Sequence, residues 1–236
     1  MLLKRLSWIG FLLGFSAAAP AMAGSPSAGA APRVLIIGDS LSQGYTPYVA
    51  RQLAGGATVT RIDENGQSSA YGAQWVDTWL GDTKWDVITF NFGQWDICYR
   101  NPDLPSEDNR DKVHGVIAVS PDPYRRNLER IVARLKQTKA RLLWVSTTVV
   151  PEGEPCRKPE DAIRYNQIAK AVMDANDIAT VDLYSPTARF EPSLFKRPHN
   201  VHYSAAGYQR LGEIVAQAID AALPRSSARM TPGAGK

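Results

Sequence analysis

The chain of 236 residues is 44% hydrophobic and 21% charged, which suits one globular domain and excludes collagen-like and low-complexity proteins. Its two cysteines are too few for a disulfide-rich scaffold or a cysteine-rich zinc or iron–sulfur site. The net charge of +4 comes from the chain ends: removing Lys4, Arg5, Arg225, Arg229 and Lys236 from the 27 Lys and Arg leaves 22, against 23 Asp and Glu. The body of the chain is therefore slightly acidic, which argues against nucleic acid as a partner.

The first 23 residues have a basic start, an apolar run and the small-residue end Ala21-Met22-Ala23, the layout of a secretory signal peptide. The apolar run is shorter than the roughly 20 residues that span a membrane, so we expect no stable membrane anchor. The sequence thus predicts an exported protein, periplasmic or secreted. The expected organisation is a signal peptide over 1–23, a flexible lead-in over 24–32, one domain over 33–224 and a disordered tail over 225–236.

Five apolar or β-branched runs alternate with helical patterns along the body of the chain. The expected strands are residues 33–38, 57–62, 85–92, 141–148 and 178–183. Several are apolar on both faces, as buried parallel strands are. Apolar residues at helical spacing occur within 128–135, 165–172 and 211–218, and helices are expected near 122–138 and 204–223. This alternation predicts an α/β fold, a three-layer α/β/α sandwich with a mostly parallel five-stranded sheet.

Two long connections, 93–121 and 149–160, follow the third and fourth expected strands. In such a sheet the ligand site lies beyond the carboxyl ends of the strands, and long loops there are often functional. Cys98 and Cys156 lie on these two connections, and export would expose them to an oxidising compartment. A disulfide between them is expected, with two buried thiols as the alternative.

The sequence Gly38-Asp39-Ser40-Leu41-Ser42 directly follows the first strand. Ser40 could cap the next helix, or it could present its hydroxyl and backbone N–H at the positive end of the helix dipole as a nucleophile. A serine nucleophile needs a base. His114 lies in a polar stretch and is expected to be a solvated loop residue, whereas His202 precedes the last helix and falls at the same sheet edge as Ser40.

Together, GDSLSQGY and the late NVHYSAAGY resemble the SGNH (GDSL) hydrolase superfamily, over about residues 33–223. The block ENGQSSAYGAQWVDTWLGDTKWDVITFNFGQWDIC, with TTVVPEG and RYN, looks like an exported bacterial branch of it. The resemblance implies a flavodoxin-like fold, Ser40 as nucleophile, His202 as base, an acyl-enzyme intermediate and no cofactor.

The resemblance also implies an oxyanion hole, built from the Ser40 N–H, a glycine after the second strand and an asparagine after the third. The glycine is Gly66, with Gly72 as an alternative. The usual G-x-N-D block reads Gly93-Gln94-Trp95-Asp96 here, with tryptophan in place of asparagine, so Asn91 is the expected amide donor. The alternative for Asn91 is a polar residue that pairs with the strand end.

This sequence also differs from the usual D-x-x-H block, because His199 occupies the position of the aspartate. A Ser–His dyad oriented by Asn200 or a backbone carbonyl is therefore expected. Asp96 and Asp63 remain possible remote carboxylates.

Export and the resemblance favour small esters as substrates, above all O-acetyl groups on carbohydrates. The alternatives are a lipid or aryl esterase, a thioesterase, or a glycan-binding module with reduced catalysis. Trp95 and Tyr99 are candidates for a substrate groove, while Arg157 and Arg164 could face the site or be solvated. No spacing indicates a metal site or a phosphate loop, and no feature indicates an oligomeric state.

Overall fold

The computed structural model describes residues 30–105 and 108–224, with a five-stranded parallel sheet at its centre. The strands in chain order are β1 (Arg33–Ile37), β2 (Thr58–Arg61), β3 (Val87–Phe90), β4 (Tyr99–Arg100), β5 (Val116–Ile117), β6 (Arg141–Val145) and β7 (Ala179–Val181). The sheet order is β2-β1-β3-β6-β7, with every pairing parallel, and β4 and β5 form a separate antiparallel ribbon. All five expected strands are present, and the α/β fold with a parallel sheet is confirmed.

Some expectations lie outside this range: the signal peptide at 1–23, residues 24–29 of the lead-in and the tail at 225–236 fall beyond the described residues. Within 30–105 and 108–224, no helix is both long and apolar enough to cross a membrane.

Both faces of the sheet are buried, and β1 shows how. Side chains alternate between the two faces of a strand. Leu35 and Ile37 join one apolar cluster, whereas Val34 and Ile36 join a second, and all four are at most 1% exposed. A strand buried on both faces reads as a continuous apolar run, which is why RVLIIG predicted it.

Helices cover the two faces. They are α1 (Ser40–Gln52), α2 (Ser69–Leu80), α3 (Pro121–Lys136), α4 (Pro159–Asp174), α5 (Tyr184–Thr187) and α6 (Ala205–Ala222). α1 and α6 pack together on one face, while α2, α3 and α4 lie on the other. The helices expected near 122–138 and 204–223 correspond to α3 and α6. The β4–β5 ribbon was not predicted, because its strands have two residues each and show no periodicity.

The central strands end earlier than predicted, because side chains replace the backbone ladder beyond them. After β3, the Asn91 amide donates to the Val145 carbonyl oxygen at 2.7 Å. After β6, the Thr147 N–H donates to Asn166 Oδ1, and Asn166 Nδ2 donates to the Thr147 oxygen, both at 2.8 Å. Side chains thus provide hydrogen-bond partners for the backbone N–H and carbonyl groups where the strands separate.

The two long connections are joined by the expected disulfide between Cys98 and Cys156, whose Cα atoms are 4.9 Å apart. Both cysteines are fully buried. Beside the bond, the Tyr99 N–H donates to the Cys156 oxygen at 2.6 Å. The disulfide therefore fixes β4 and the ribbon against the loop that precedes α4.

Replacing both cysteines in Cys98→Ser/Cys156→Ser should lower the free energy of unfolding by up to about 4 kcal/mol. The physical reason is that the bond closes a loop of 58 residues in the unfolded chain. Urea unfolding of the wild type and the variant measures this, and reduced wild type should behave like the variant. Alkylation of both thiols in unfolded, unreduced protein would contradict the disulfide.

Candidate active site

The turn from β1 into α1 places Ser40 at the first residue of the helix. Asp39 caps α1, because its side chain accepts from the Leu41 N–H at 2.9 Å. The alternative in which Ser40 itself is the cap is therefore wrong. The Ser40 N–H has no partner among the described residues, as expected for the first turn of a helix. Both polar groups of Ser40 are thus available at the carboxyl edge of the sheet.

His202 reaches Ser40 from the segment that precedes α6. Its Nε2 lies 2.9 Å from Ser40 Oγ, across 162 residues of sequence. Both side chains are half-buried. This is the distance at which a base can take the hydroxyl proton of a nucleophile.

Asn200 orients the imidazole, and the contacts fix the tautomer. Asn200 Oδ1 accepts from the backbone N–H of His202 at 2.9 Å, so the atom facing His202 is the oxygen. The same oxygen lies 3.0 Å from Nδ1 of the ring. An amide oxygen can only accept, so Nδ1 carries the proton. Nε2 is then the acceptor that faces the Ser40 hydroxyl.

Carboxylates lie elsewhere. His199, at the position of the usual aspartate, turns away and hydrogen-bonds through Nδ1 to the Glu152 carbonyl oxygen. Asp96 is fully buried and accepts from Ser69 N and Ser69 Oγ, at 2.9 and 2.5 Å, while Asp63 is exposed. Among the described residues, no carboxylate contacts the His202 ring.

The surroundings of His202 oppose its charging. Burial lowers the pKa of the imidazole below its ordinary value of 6.5, because the charged form loses hydration. The positive charges of Arg157, Lys196, Arg110 and Arg197 lower this pKa further. The base is therefore neutral, and competent to accept a proton, at neutral pH.

The two expected oxyanion donors besides Ser40, the Gly66 N–H and the Asn91 amide, form hydrogen bonds to backbone oxygens. The Gly66 N–H donates to the Gly38 oxygen at 3.0 Å, and a Cβ at Gly66 would lie only 2.8 Å from that oxygen. Gly66 thus lets two loops meet, but its N–H is occupied. One N–H of the Asn91 amide donates to the Val145 oxygen, as the strand-end alternative expects, and the role of Asn91 as an oxyanion donor stays a prediction. Gly72 lies in α2, where a Cβ would be 2.3 Å from the Phe92 ring, so it serves packing.

Asn65 is a polar residue that the sequence analysis missed. It lines the same cleft as Ser40 and His202. Its Oδ1 accepts from the Gln67 N–H at 2.9 Å, and its amide nitrogen has no partner among the described residues. Its position directly before Gly66 was the only signal in the sequence.

The cleft around Ser40 has a volume of about 270 Å³. Most of its lining is polar or charged: Asp39, Ser40, Leu41, Asn65, Gln94, Trp95, Arg100, Arg110, Glu154, Arg157, Asn200, Val201 and His202. Of the substrate candidates, Trp95 lines the cleft and Tyr99 does not. The Tyr99 hydroxyl instead donates to Asp161 at 3.0 Å, which ties β4 to α4 and corrects the expected role. Arg157 also lines the cleft, whereas Arg164 lies in a surface depression between α3 and α4.

A serine at the start of a helix, hydrogen-bonded to a histidine before the last helix, matches a known group of enzymes. The profile of the GDSL-like lipase/acylhydrolase family matches residues 36–210. This chain belongs to that family. It is accordingly an ester hydrolase with the SGNH fold.

Solved structures of other hydrolases share the fold. A lipase/acylhydrolase from Enterococcus faecalis has a TM-score of 0.66 at 19% identity, covering 83% of this chain and 99% of its own. The acetyl xylan esterase AlAXEase has a TM-score of 0.64 at 15% identity, covering 79% and 99%. A variant of an acetyl xylan esterase from Geobacillus stearothermophilus has a TM-score of 0.64 at 18% identity, covering 83% and 97%. No curated protein matches the sequence.

This hydrolase differs from the usual family pattern in its G-x-N-D block and in its D-x-x-H block. Trp95 at the usual asparagine position lines the cleft, and its indole makes no hydrogen bond within residues 30–105 and 108–224. At the usual aspartate position, His199 faces away and Asn200 holds the imidazole. Within residues 30–105 and 108–224, no three His, Cys, Asp or Glu side chains lie close enough together to bind a metal ion.

The acid limb of kcat/KM should lie below pH 6.5, because His202 must be neutral to act as a base and its pKa is lowered. Asn200→Asp should move this limb upward, since an adjacent carboxylate favours the imidazolium. pH–rate profiles measure both effects.

The matched control is Asp96→Asn, which removes a buried carboxylate that does not contact His202 and should leave the limb in place. A wild-type limb above pH 6.5 that falls in Asp96→Asn would mean that Asp96 supplies the missing charge.

Proposed function

We propose that this chain is an exported esterase that removes small acyl groups, above all O-acetyl groups of carbohydrates, through an acyl-enzyme on Ser40. The observation that carries the proposal is the continuous hydrogen-bond chain from Ser40 Oγ to His202 Nε2, and from His202 Nδ1 to Asn200 Oδ1, at the wall of a small cleft.

In the first half-reaction, the Ser40 hydroxyl gives its proton to His202 Nε2 as Oγ attacks the ester carbonyl carbon. The tetrahedral intermediate then breaks the bond to the alcohol oxygen, and the alcohol leaves with the proton from Nε2. In the second half-reaction, water gives a proton to Nε2 and its oxygen attacks the acyl carbon. The carboxylic acid departs, and the proton returns to Ser40.

We propose that the Ser40 N–H and the Asn65 amide nitrogen bind the oxyanion. The first lies at the positive end of α1, and the second belongs to a residue that lines the cleft with its oxygen already bonded to Gln67. Donors that have no other partner need no rearrangement when charge develops on the substrate oxygen.

The lining of the cleft favours a short acyl group. Among the residues that the structure describes, only Leu41, Trp95 and Val201 contribute apolar side chains to it, so a long alkyl chain would find little apolar surface to cover. This argues against the lipid esterase alternative. The acetyl xylan esterases among the structural relatives support acetyl removal as chemistry that this fold accommodates. The paired Ser40 and His202 argue against a binding module, which needs neither.

Export is supported by the amino-terminal sequence and is consistent with the disulfide between Cys98 and Cys156. The proposed location is the periplasm or the medium.

A fluorophosphonate probe should label the wild type at Ser40 and leave Ser40→Ala unlabelled, because only the activated hydroxyl attacks phosphorus. On p-nitrophenyl esters, kcat/KM should be highest for acetate and should fall as the acyl chain lengthens. The kcat/KM of Ser40→Ala should be at least about a thousandfold lower than that of the wild type. A wild type that is folded but neither labelled nor active would favour the binding module. A maximum at octanoate or longer would favour the lipid esterase.

Asn65→Ala should lower kcat by about a hundredfold with a small change in KM, because the lost hydrogen bond forms mainly in the transition state. The matched control is Asn91→Ala, which should lower the melting temperature through the lost bond to Val145. A large loss of kcat in Asn91→Ala with an unchanged melting temperature, beside an active Asn65→Ala, would restore Asn91 as the donor.

A further inference from the structure

Three arginines line the cleft beside the nucleophile: Arg100, Arg110 and Arg157. The charge of Arg157 is already balanced. This residue is buried, its Nη1 lies 2.6 Å from Glu154 Oε1, and its Nε donates to the Gln94 oxygen at 2.6 Å. Glu154 in turn accepts from the Cys156 N–H at 2.8 Å. This pair is part of the wall of the cleft.

Arg100 is held by neutral groups. Its Nη1 donates to Asn109 Oδ1 at 2.9 Å, and its guanidinium carbon lies 5.7 Å from the centre of the Trp95 ring. A guanidinium above an aromatic face keeps its charge and its remaining N–H donors. Its backbone pairs with that of Arg110 through an antiparallel bridge, so the two residues are neighbours at the cleft rim. Within residues 30–105 and 108–224, neither arginine forms an ion pair.

Among the described residues, the cleft has two carboxylates, and they do not cancel this charge. Glu154 is matched by Arg157. Asp39 is 1% exposed and accepts from the Leu41 N–H, so it lies beneath the nucleophile. The charges that lower the pKa of His202 are positive, and they belong to the exposed Lys196 and Arg197 as well as to Arg110 and Arg157. The space in front of Ser40 therefore attracts anions.

We infer that Arg100 and Arg110 form a subsite for a carboxylate, and that the preferred substrates are esters bearing a carboxylate near the scissile bond, such as O-acetylated uronic acids. This inference rests on the proposed esterase function and names its substrate class. The planar fork of a guanidinium matches the two oxygens of a carboxylate. A neutral acetylated sugar offers neither arginine an anionic partner.

Matched aryl acetates test the subsite: 3- and 4-acetoxybenzoate against their methyl esters, with each kcat/KM divided by the rate of alkaline hydrolysis of the same compound. The wild type should prefer the carboxylates by at least about tenfold, as a charge-assisted hydrogen bond would give. The preference should shrink in 0.5 M NaCl, because the exposed part of the attraction is screened.

Variants assign this preference to the two arginines. Arg100→Gln/Arg110→Gln should lose the preference, mainly through a higher KM for the carboxylates, because the uncharged methyl esters make no ion pair with either arginine. Arg110→Gln alone leaves the contacts of Arg100 with Asn109 and Trp95 in place and should lose part of the preference. The matched control is Arg126→Gln, which removes an exposed arginine of α3 outside the cleft and should retain it.

The outcomes separate this inference from the proposed function. The subsite alone would be overturned if an active wild type had the same normalised kcat/KM on the acids and on their methyl esters. It would also be overturned if the double variant lost the same factor in kcat/KM on both. A stronger preference for 4-acetoxybenzenesulfonate than for either carboxylate would overturn the assignment to a carboxylate. An enzyme inactive on every acetate and unlabelled by fluorophosphonate would overturn the esterase proposal.

Discussion

The hydrogen bond from the Leu41 N–H to the Asp39 carboxylate is the interaction on which the site depends. Because Asp39 caps the helix, Ser40 is relieved of that task and keeps both its hydroxyl and its N–H for other partners. The cap also fixes where α1 begins, and with it the distance from Ser40 to the segment before α6. Burial raises the pKa of Asp39, although its hydrogen bonds to backbone N–H groups and the positive charges of Arg157 and Arg61 oppose the rise. The carboxylate nearest in sequence to the nucleophile thus serves the backbone and not the histidine.

A neutral orienter in positive surroundings gives the proposed mechanism a particular electrostatic character. The imidazolium that forms during attack finds an amide dipole at Nδ1, and the nearby arginines disfavour it. A substrate carboxylate at Arg100 and Arg110 would offset part of that cost, because it brings a compensating charge into the cleft at the moment of reaction. Substrate recognition and proton transfer would then depend on the same field. An enzyme with a carboxylate beside its histidine has that compensation built into the protein.

The fold and the placement of Ser40 and His202 at one edge of the sheet were predictable, since they depend on local patterns. RVLIIG shows burial on both faces, and GDS after a strand places Ser40 at a helix start. His202 followed from its place before the last amphipathic pattern. The direction of a side chain at a strand end was not predictable. Asn91 turns toward Val145, 54 residues away, because the neighbouring strand leaves that carbonyl free. Arg100 and Arg110 also gave no signal, because the bridge that joins them forms inside a connection without periodicity.

The hydrogen bond from the Gly66 N–H to the Gly38 oxygen also affects how readily Asn65 can deamidate. Asparagine followed by glycine is the pair most prone to deamidation, in which the glycine nitrogen attacks the side-chain carbonyl and closes a succinimide. In Asn65-Gly66 that nitrogen is held by Gly38, and the Asn65 oxygen is held by the Gln67 N–H at 2.9 Å. Ring closure therefore requires the bond from the Gly66 N–H to Gly38 to break. Hydrolysis of such a ring would leave a carboxylate where the oxyanion is proposed to form, so this packing helps to preserve the chemical identity of the residue.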